Sequence, residues 1–229
     1  MTALSVDIQS KCFGSHQVLG PMAFEIAAGE RVALLGPSGI GKSTLMGLIA
    51  GTDPVFDGRV SRPNGQIAMV FQTPRLLPWR TLVQNIALIP DAGGEPTARA
   101  RLAEVGLADA ADQYPEKVSL GMQRRAALAR ALAVEPSVIL MDEPLVSLDP
   151  ASAQAMRGLL TEALDRTGAS ALIATHNRAE ALALCDRVLE LDGPPATLRK
   201  DRASPLDRTR RADAAAVDAL CREWYGDVR

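Results

Sequence analysis

The sequence predicts an α/β fold, and three observations carry the prediction. Short apolar runs bounded by turn residues, at 31–35, 66–71, 137–141 and 169–175, have the length and composition of buried strands. Ala- and Leu-rich stretches at 42–50, 151–164 and 178–184 lie between them, with apolar residues three and four apart, the spacing of helices that cover a sheet. A glycine-rich segment, from Gly36 to Ser43, joins the first of these strands to the first helix. At 229 residues, 47% hydrophobic and 23% charged, the chain suits one large packed domain or two small ones sharing a core. Disorder and collagen-like repeats are excluded.

In chain order, residues 5–9 alternate and 22–27 run into a turn at Gly29, which predicts a small antiparallel sheet in the first 27 residues. Strand 31–35 and helix 42–50 open the α/β core. From about 79 to 135 the pattern changes to helical stretches at 81–88, 97–105 and 121–133 with no convincing strand, and this reads as a helical insertion. Strand 137–141 resumes the core, and 1–192 is read as its domain. After Asp192 the run Gly193-Pro194-Pro195 introduces mixed charge, so 193–229 is read as a linker and C-terminal tail. Val217, Leu220, Cys221 and Trp224 recur there at helical spacing, which predicts a short docked helix.

Twenty-five Lys and Arg stand against 27 Asp and Glu, a net charge of −2, so there is no basic field to bind a phosphate backbone. Aromatics make up 3% and leave few platforms for stacking bases, so no nucleic acid partner is expected. The three cysteines, Cys12, Cys185 and Cys221, are far apart and include no CxxC, which points to neither a disulfide framework nor a zinc site. A cytosolic setting follows. No apolar run approaches the roughly 18 residues that span a bilayer, so the chain is expected to cross no membrane.

The chemistry begins at Gly36-Pro37-Ser38-Gly39-Ile40-Gly41-Lys42-Ser43, a match to G-x-x-x-x-G-K-[ST] placed between a strand and a helix. Its glycines let the backbone turn so that successive N–H groups and the helix N-terminus aim at phosphates, while Lys42 adds a point charge and Ser43 a Mg²⁺ ligand. A Gly-rich turn without a ligand is the competing reading, and the strand and helix on either side weigh against it. Val138-Ile139-Leu140-Met141-Asp142-Glu143 is an apolar strand ending in two carboxylates. Asp142 suits a metal held through water beside such a cradle, and Glu143 a general base that polarises the attacking water. Acids cap many strand ends, and this pair takes its meaning from the cradle.

With these marks the chain resembles the ATP-binding subunits of ABC transporters over about residues 4–192. Gln72 follows its strand as the family's Q-loop glutamine does, and Ser119 and Gly121 fall at the signature motif. Ser147-Leu148-Asp149 matches the D-loop, His176 the switch histidine, and Phe13 the aromatic on which the family stacks adenine. The resemblance implies a P-loop NTPase core with a small antiparallel β subdomain and a helical insertion. It implies ATP and Mg²⁺ as cofactors, with nucleotide contacts from Phe13, Ser119, Gly121 and the cradle Gly36, Pro37, Ser38, Gly39, Ile40, Gly41, Lys42, Ser43 and Thr44. Ser43, Gln72 and Asp142 become Mg²⁺ ligands, and Glu143, His176, Gln72 and Lys42 the catalytic set, with Gln72 linking the γ-phosphate side to the helical insertion.

The implied partners are a second ATP-binding subunit, each ATP lying between one copy's cradle and the other's signature helix, and an integral membrane permease. A periplasmic or extracellular solute-binding protein would act indirectly, and the expected seat is the cytoplasmic face of the inner (plasma) membrane. Residues 72–81, from Gln72 through Pro74, Pro78, Trp79 and Arg80, resemble importers of the nitrate, sulfonate, taurine and thiamine-precursor group. An ATP-hydrolysing subunit that powers uptake of a small solute is therefore expected. Lipid or lipoprotein export, and a weakly active regulatory subunit, are the alternatives. Leu76, Leu77 and Trp79 read as core packing or as an exposed docking patch, and docking is preferred because an ATPase with no membrane span must transmit work to something. One departure is plain: Val118-Ser119-Leu120-Gly121-Met122 stands where the family has Leu-Ser-Gly-Gly-Gln. A branched side chain where backbone must approach a ligand either clashes or turns aside, and the sequence leaves both open.

Overall fold

The computed structural model describes residues 2–62, 64–90 and 93–226. They divide into two units, one formed by 1–64 with 170–229 and the other by 65–169.

The first unit opens with β1 (Thr2–Phe13), in which Leu4, Val6 and Ile8 are at most 1% exposed and alternate with accessible residues. That period of two marks a strand with one face on a core. It pairs antiparallel with β2 (His16–Leu19) and with β3 (Met22–Ala27), as the alternation at the N-terminus predicts. Every residue of β4 (Arg31–Leu35) is buried. The glycine-rich segment leads from it into α1 (Lys42–Ala50), and β5 (Asp57–Ser61) then pairs antiparallel with β1.

The second unit contains β6 (Ile67–Val70), α2 (Leu82–Ala87), α3 (Gly94–Glu104), α4 (Leu120–Leu132), β7 (Val138–Asp142) and α5 (Pro150–Thr167). The helix patterns read at 81–88, 97–105 and 121–133 fall on α2, α3 and α4. Capping sets two of the starts: Thr81 and Gln84 form a reciprocal capping box at α2, and Asp149 accepts from the Ser152 amide ahead of Pro150 at α5. β6 and β7 run parallel, from Ile67 opposite Val138 to Val70 opposite Met141.

The chain then returns to the first unit with β8 (Ser170–Thr175), α6 (Arg178–Leu184), β9 (Arg187–Asp192), β10 (Thr197–Ala203) and α7 (Ala214–Tyr225). Within this unit the strands lie in the order β10-β9-β4-β8, with β4 parallel to β8 and β9. All residues of β4 and β8 are buried, the continuous apolar run expected of parallel strands covered on both faces.

Within the stretch read as linker and tail, residues 197–203 and 214–225 form β10 and α7. Gly193 and the two prolines turn the chain back on itself, and β10 pairs antiparallel with β9 from Thr197 opposite Asp192 to Ala203 opposite Arg187. β10 is an edge strand carrying Arg199, Lys200, Asp201 and Arg202, and charge of this kind both protects an exposed edge and reads in sequence as a solvated tail. The helical spacing near the C-terminus falls on α7, whose Val217 and Leu220 are each 4% exposed and which packs against α6.

Candidate functional site

In the first unit, β4 and β8 are in parallel register up to Leu35 opposite Thr175, so Gly36 and His176 leave the carboxyl ends of neighbouring strands. The Gly36 amide donates to the Thr175 carbonyl at 3.3 Å. Two glycines of the loop adopt left-handed backbone, Gly39 at φ 80° and Gly41 at φ 115°. A Cβ at Gly41 would also lie 2.7 Å from Leu19 Cδ2, so both torsion and space require glycine there. α1 begins at Lys42 with Gly41 as N-cap, no side-chain cap and no acidic residue in its first turn, which leaves its amide end suited to an anion. Lys42, 5% exposed, donates from Nζ to Gly36 O at 2.7 Å and Pro37 O at 3.1 Å and so arches across the loop. Ser43 is exposed and Thr44 half-buried beside it.

His176 is exposed, and the residues after it are fixed by a local network. The buried Thr175 hydroxyl donates to Glu180 at 2.9 Å and accepts from the Asn177 amide at 3.0 Å, and Asn177 in turn caps α6 by accepting from the Glu180 amide at 3.1 Å. His176 lines a cavity of about 590 Å³ together with Gly36 and Pro37. Phe13 ends β1 with its ring 53% exposed, and Lys11 Nζ sits 4.5 Å from the ring centroid. Its strand neighbour β2 supplies Val18 and Leu19 against Gly41, so this hairpin adjoins the loop.

In the second unit the register of β6 with β7 brings Gln72 and Glu143 out at the same end of a parallel pair, each two residues beyond partnered positions. Gln72 is exposed, whereas Asp142 and Glu143 are 7% and 8% exposed. Glu143 has φ 49°, a left-handed conformation that is uncommon outside glycine and clusters at functional sites. Ser119 caps α4, its hydroxyl accepting from the Met122 amide at 3.2 Å. Leu120 is the first residue of that helix and is 45% exposed. A Cβ at Gly121 would meet nothing of the chain closer than Ser119 Oγ at 3.9 Å, so the fold itself does not demand glycine there. Ser119 and Gly121 share a cavity of about 170 Å³ with Leu148 and Ser152. Beside them the Asp149 carboxyl is held below its usual range, chiefly by the Ser152 hydroxyl and amide.

Three positioning residues escaped the sequence reading. Asn85, 3% exposed, accepts from the Leu77 amide at 2.6 Å and donates to the carbonyls of Leu77, Arg80 and Thr81, which folds the proline-bounded loop. Trp79 is left 69% exposed on it, whereas Leu76 and Leu77 are half-buried. Arg124 donates to the Val146 carbonyl, and Arg130 to the carbonyls of Pro74 at 2.8 Å and Arg75 at 2.7 Å. An arginine on an Ala-rich helix reads as a solvated face, and nothing in the sequence marks these two as tethers.

Comparison with known proteins gives a consistent family. A family model described as "ABC transporter" matches residues 19–146. The chain is 38% identical over 222 residues, 92% of it and 96% of the relative, to "Aliphatic sulfonates import ATP-binding protein SsuB 2" of Pseudomonas syringae pv. tomato. It is 46% identical over 192 residues, 83% of it and 78% of the relative, to the protein of the same name from Frankia alni. Among solved structures it is similar to a "Dimeric structure of a post-hydrolysis state of the ATP-binding cassette MJ0796 bound to ADP and Pi", with TM-score 0.77 and 25% identity, over 89% of this chain and all of that one.

Proposed function

The chain belongs to the ABC transporter family, and on that premise we propose that it is the ATP-hydrolysing subunit that powers uptake of a small solute through a separate permease. The observation that carries the reading is the similarity, along nearly the whole chain, to import ATP-binding proteins, in a chain that keeps the phosphate loop 36–43 at the end of β4. The relatives' names weigh against lipid export and favour an aliphatic sulfonate as the solute. No helix among the described residues is long and apolar enough to cross a membrane, which fits a subunit working on a permease from the cytoplasmic face of the inner membrane.

In this reading residues 1–192 carry the nucleotide chemistry. The amides of 36–41 and the start of α1 hold the phosphates, Lys42 adds its charge, and Phe13 offers its exposed ring to adenine. Ser43, Gln72 and Asp142 supply a hydroxyl, an amide and a carboxylate, all hard oxygen donors of the kind Mg²⁺ takes along with substrate phosphates. Mg²⁺, when bound, neutralises charge on the phosphate oxygens. Glu143 orients and deprotonates the attacking water, and His176 donates to the γ-phosphate. Ser119 and Gly121 of a second copy complete the pocket, and the dimeric ATP-binding cassette of similar fold supports that pairing.

The test is reconstitution. The purified chain with its permease should hydrolyse ATP and import an aliphatic sulfonate, and Lys42→Ala should abolish both. Hydrolysis without import of any sulfonate would reject the solute class, and intact hydrolysis in the Lys42 variant would reject the site.

A further inference from the structure

The cavity beside the phosphate loop has one wall that the nucleotide chemistry does not use. Besides Gly36, Pro37 and His176 it is lined by Arg178, Glu190 and Tyr225, the last from α7 at the C-terminal end of the described chain. We propose that Tyr225 is a positioning residue for the His176 loop, acting through Arg178 and anchored on Glu190. The inference rests on the reading of His176 given above.

Arg178 is the first residue of α6 and stands two positions after His176. Its guanidinium carbon lies 4.5 Å from the centroid of the Tyr225 ring, within the range in which a cation is drawn to an aromatic face. The ring is itself held. Its hydroxyl donates to Glu190 Oε1 at 3.0 Å, and Glu190 also takes a charge-assisted bond from Arg202. Arg202 lies over the neighbouring Trp224 at 4.1 Å and over Tyr225 at 5.3 Å. Glu190 is near the end of β9, in register with Leu35 at the end of β4, the residue before the phosphate loop. The stack Arg178–Tyr225–Arg202–Trp224 therefore joins the segment that carries His176 to the strand beside the loop.

Burial, and then the Glu190 acceptor, push the Tyr225 phenol above its usual range, so it keeps its proton as a donor. Burial also pushes Glu190 up, but the bonds from Arg202 and Tyr225 outweigh it and leave the carboxyl below its usual range. Both partners thus stay in the forms that bond each other. On the other side of the segment, Thr175 and Asn177 fix the backbone by the bonds already described. The segment that carries His176 is thus anchored through the buried Thr175 before it and through Arg178 after it, whose aromatic partner comes from α7.

The experiment uses the full chain with its permease. Tyr225→Ala should lower kcat for ATP by about 3- to 10-fold, the range in which indirect coupling acts, with KM for ATP changed by less than about twofold. Tyr225→Phe keeps the ring on Arg178 and should retain at least about half of the wild-type kcat. In a His176→Ala background, Tyr225→Ala should cause no further slowing, because it acts through that residue. Should Tyr225→Ala fail to fold, Arg178→Lys probes the same contact from the other side, keeping the charge but losing the flat stacking group, and should give the same loss. Unchanged kcat in Tyr225→Ala or Arg178→Lys, or an equal fold-loss from Tyr225→Ala with and without His176, would overturn the proposal while leaving the His176 reading intact. Wild-type turnover in His176→Ala would instead remove that reading, and this inference with it.

Discussion

Glu143 combines a carboxylate at the end of a buried strand with a left-handed backbone, and the two properties separate under substitution. Glu143→Gln keeps size, shape and torsion and removes only the ability to take a proton, so turnover should fall by about 10²- to 10⁴-fold, the usual contribution of a placed base. That corresponds to about 3–5 kcal/mol of barrier. Nucleotide affinity should be nearly unchanged, and the trapped ATP should shift the protein to a dimer in size-exclusion chromatography with Mg·ATP. Glu143→Gly also abolishes turnover but acts differently on the fold. At φ 49° an L-residue bears a penalty of about 1–2 kcal/mol that glycine escapes, against about 0.5–1 kcal/mol of added chain entropy. The backbone terms alone therefore favour the glycine variant by about 0–1.5 kcal/mol, a melting rise of as much as about 3–6 °C at this chain length before the lost packing of the buried side chain is counted. Thermal melts of the two variants side by side give the comparison. A glycine variant melting several degrees lower would show that the lost packing outweighs the strain, and a glutamine variant with normal turnover would refute the base.

Leu120→Gly should strengthen ATP-dependent dimerisation and raise ATPase activity, because it removes a 45% exposed side chain from the start of α4. ATPase measured over a protein-concentration series reports it, and equal activity in both forms would mean that the leucine turns aside. Trp79→Ala should weaken association with the permease membrane while changing stability by no more than about 0.5 kcal/mol, since the ring is 69% exposed. Co-sedimentation with permease vesicles and a thermal melt together read this, and an unfolded variant would place the ring in a core. Gly41→Ala, at φ 115° and against Leu19, should destabilise by about 1–3 kcal/mol and weaken ATP binding at least tenfold, read by titration with a fluorescent nucleotide. Burial pushes the Asp186 carboxyl up, but the Arg31 amide at 2.8 Å and the Arg211 guanidinium at 2.8 Å outweigh it and hold it below its usual range. Its stabilisation is then complete above the unfolded value of about 3.9 and lost as pH falls through the lower folded one, so the stability gap between wild type and Asp186→Asn in urea titrations should close only in that acid range.

The parts of the site that were legible in the sequence are those in which chemistry fixes residue type and spacing together. A phosphate cradle needs glycine at Gly39 and Gly41 and a cation at Lys42, and both glycines do take left-handed torsions. The Asp142-Glu143 pair was legible because four apolar residues in a row, Val138 to Met141, make a buried strand ahead of it, and β7 is buried throughout. β10 was not, because an exposed edge strand gains its stability from backbone pairing to β9 while its side chains answer to solvent, and Arg199 to Arg202 read as a tail. The environment of Trp79 was less legible for a related reason. A tryptophan in a proline-bounded loop fits either environment until a third residue chooses, and the choice lies with Asn85, whose amide folds the loop from below.

The left-handed residues other than glycine extend this point. Four are present among the described residues, Arg75, Glu135, Glu143 and Ser147, and all lie in the second unit. Glu135 closes a surface turn after α4 and pairs with Arg101 at 3.0 Å. The other three stand in the loop after Gln72, at the proposed base and in the D-loop. Such torsions persist only where the surroundings over-determine them, and α4 supplies the determinants for two of the three. Arg130 grips the carbonyl of Arg75 and that of the residue before it, while the Arg75 guanidinium folds 3.7 Å over the Phe71 ring. Arg124 grips the carbonyl of Val146, immediately before Ser147. A single helix, capped by Ser119, thus holds both loops by main-chain oxygens. Removing either guanidinium would take away main-chain bonds that hold a strained loop.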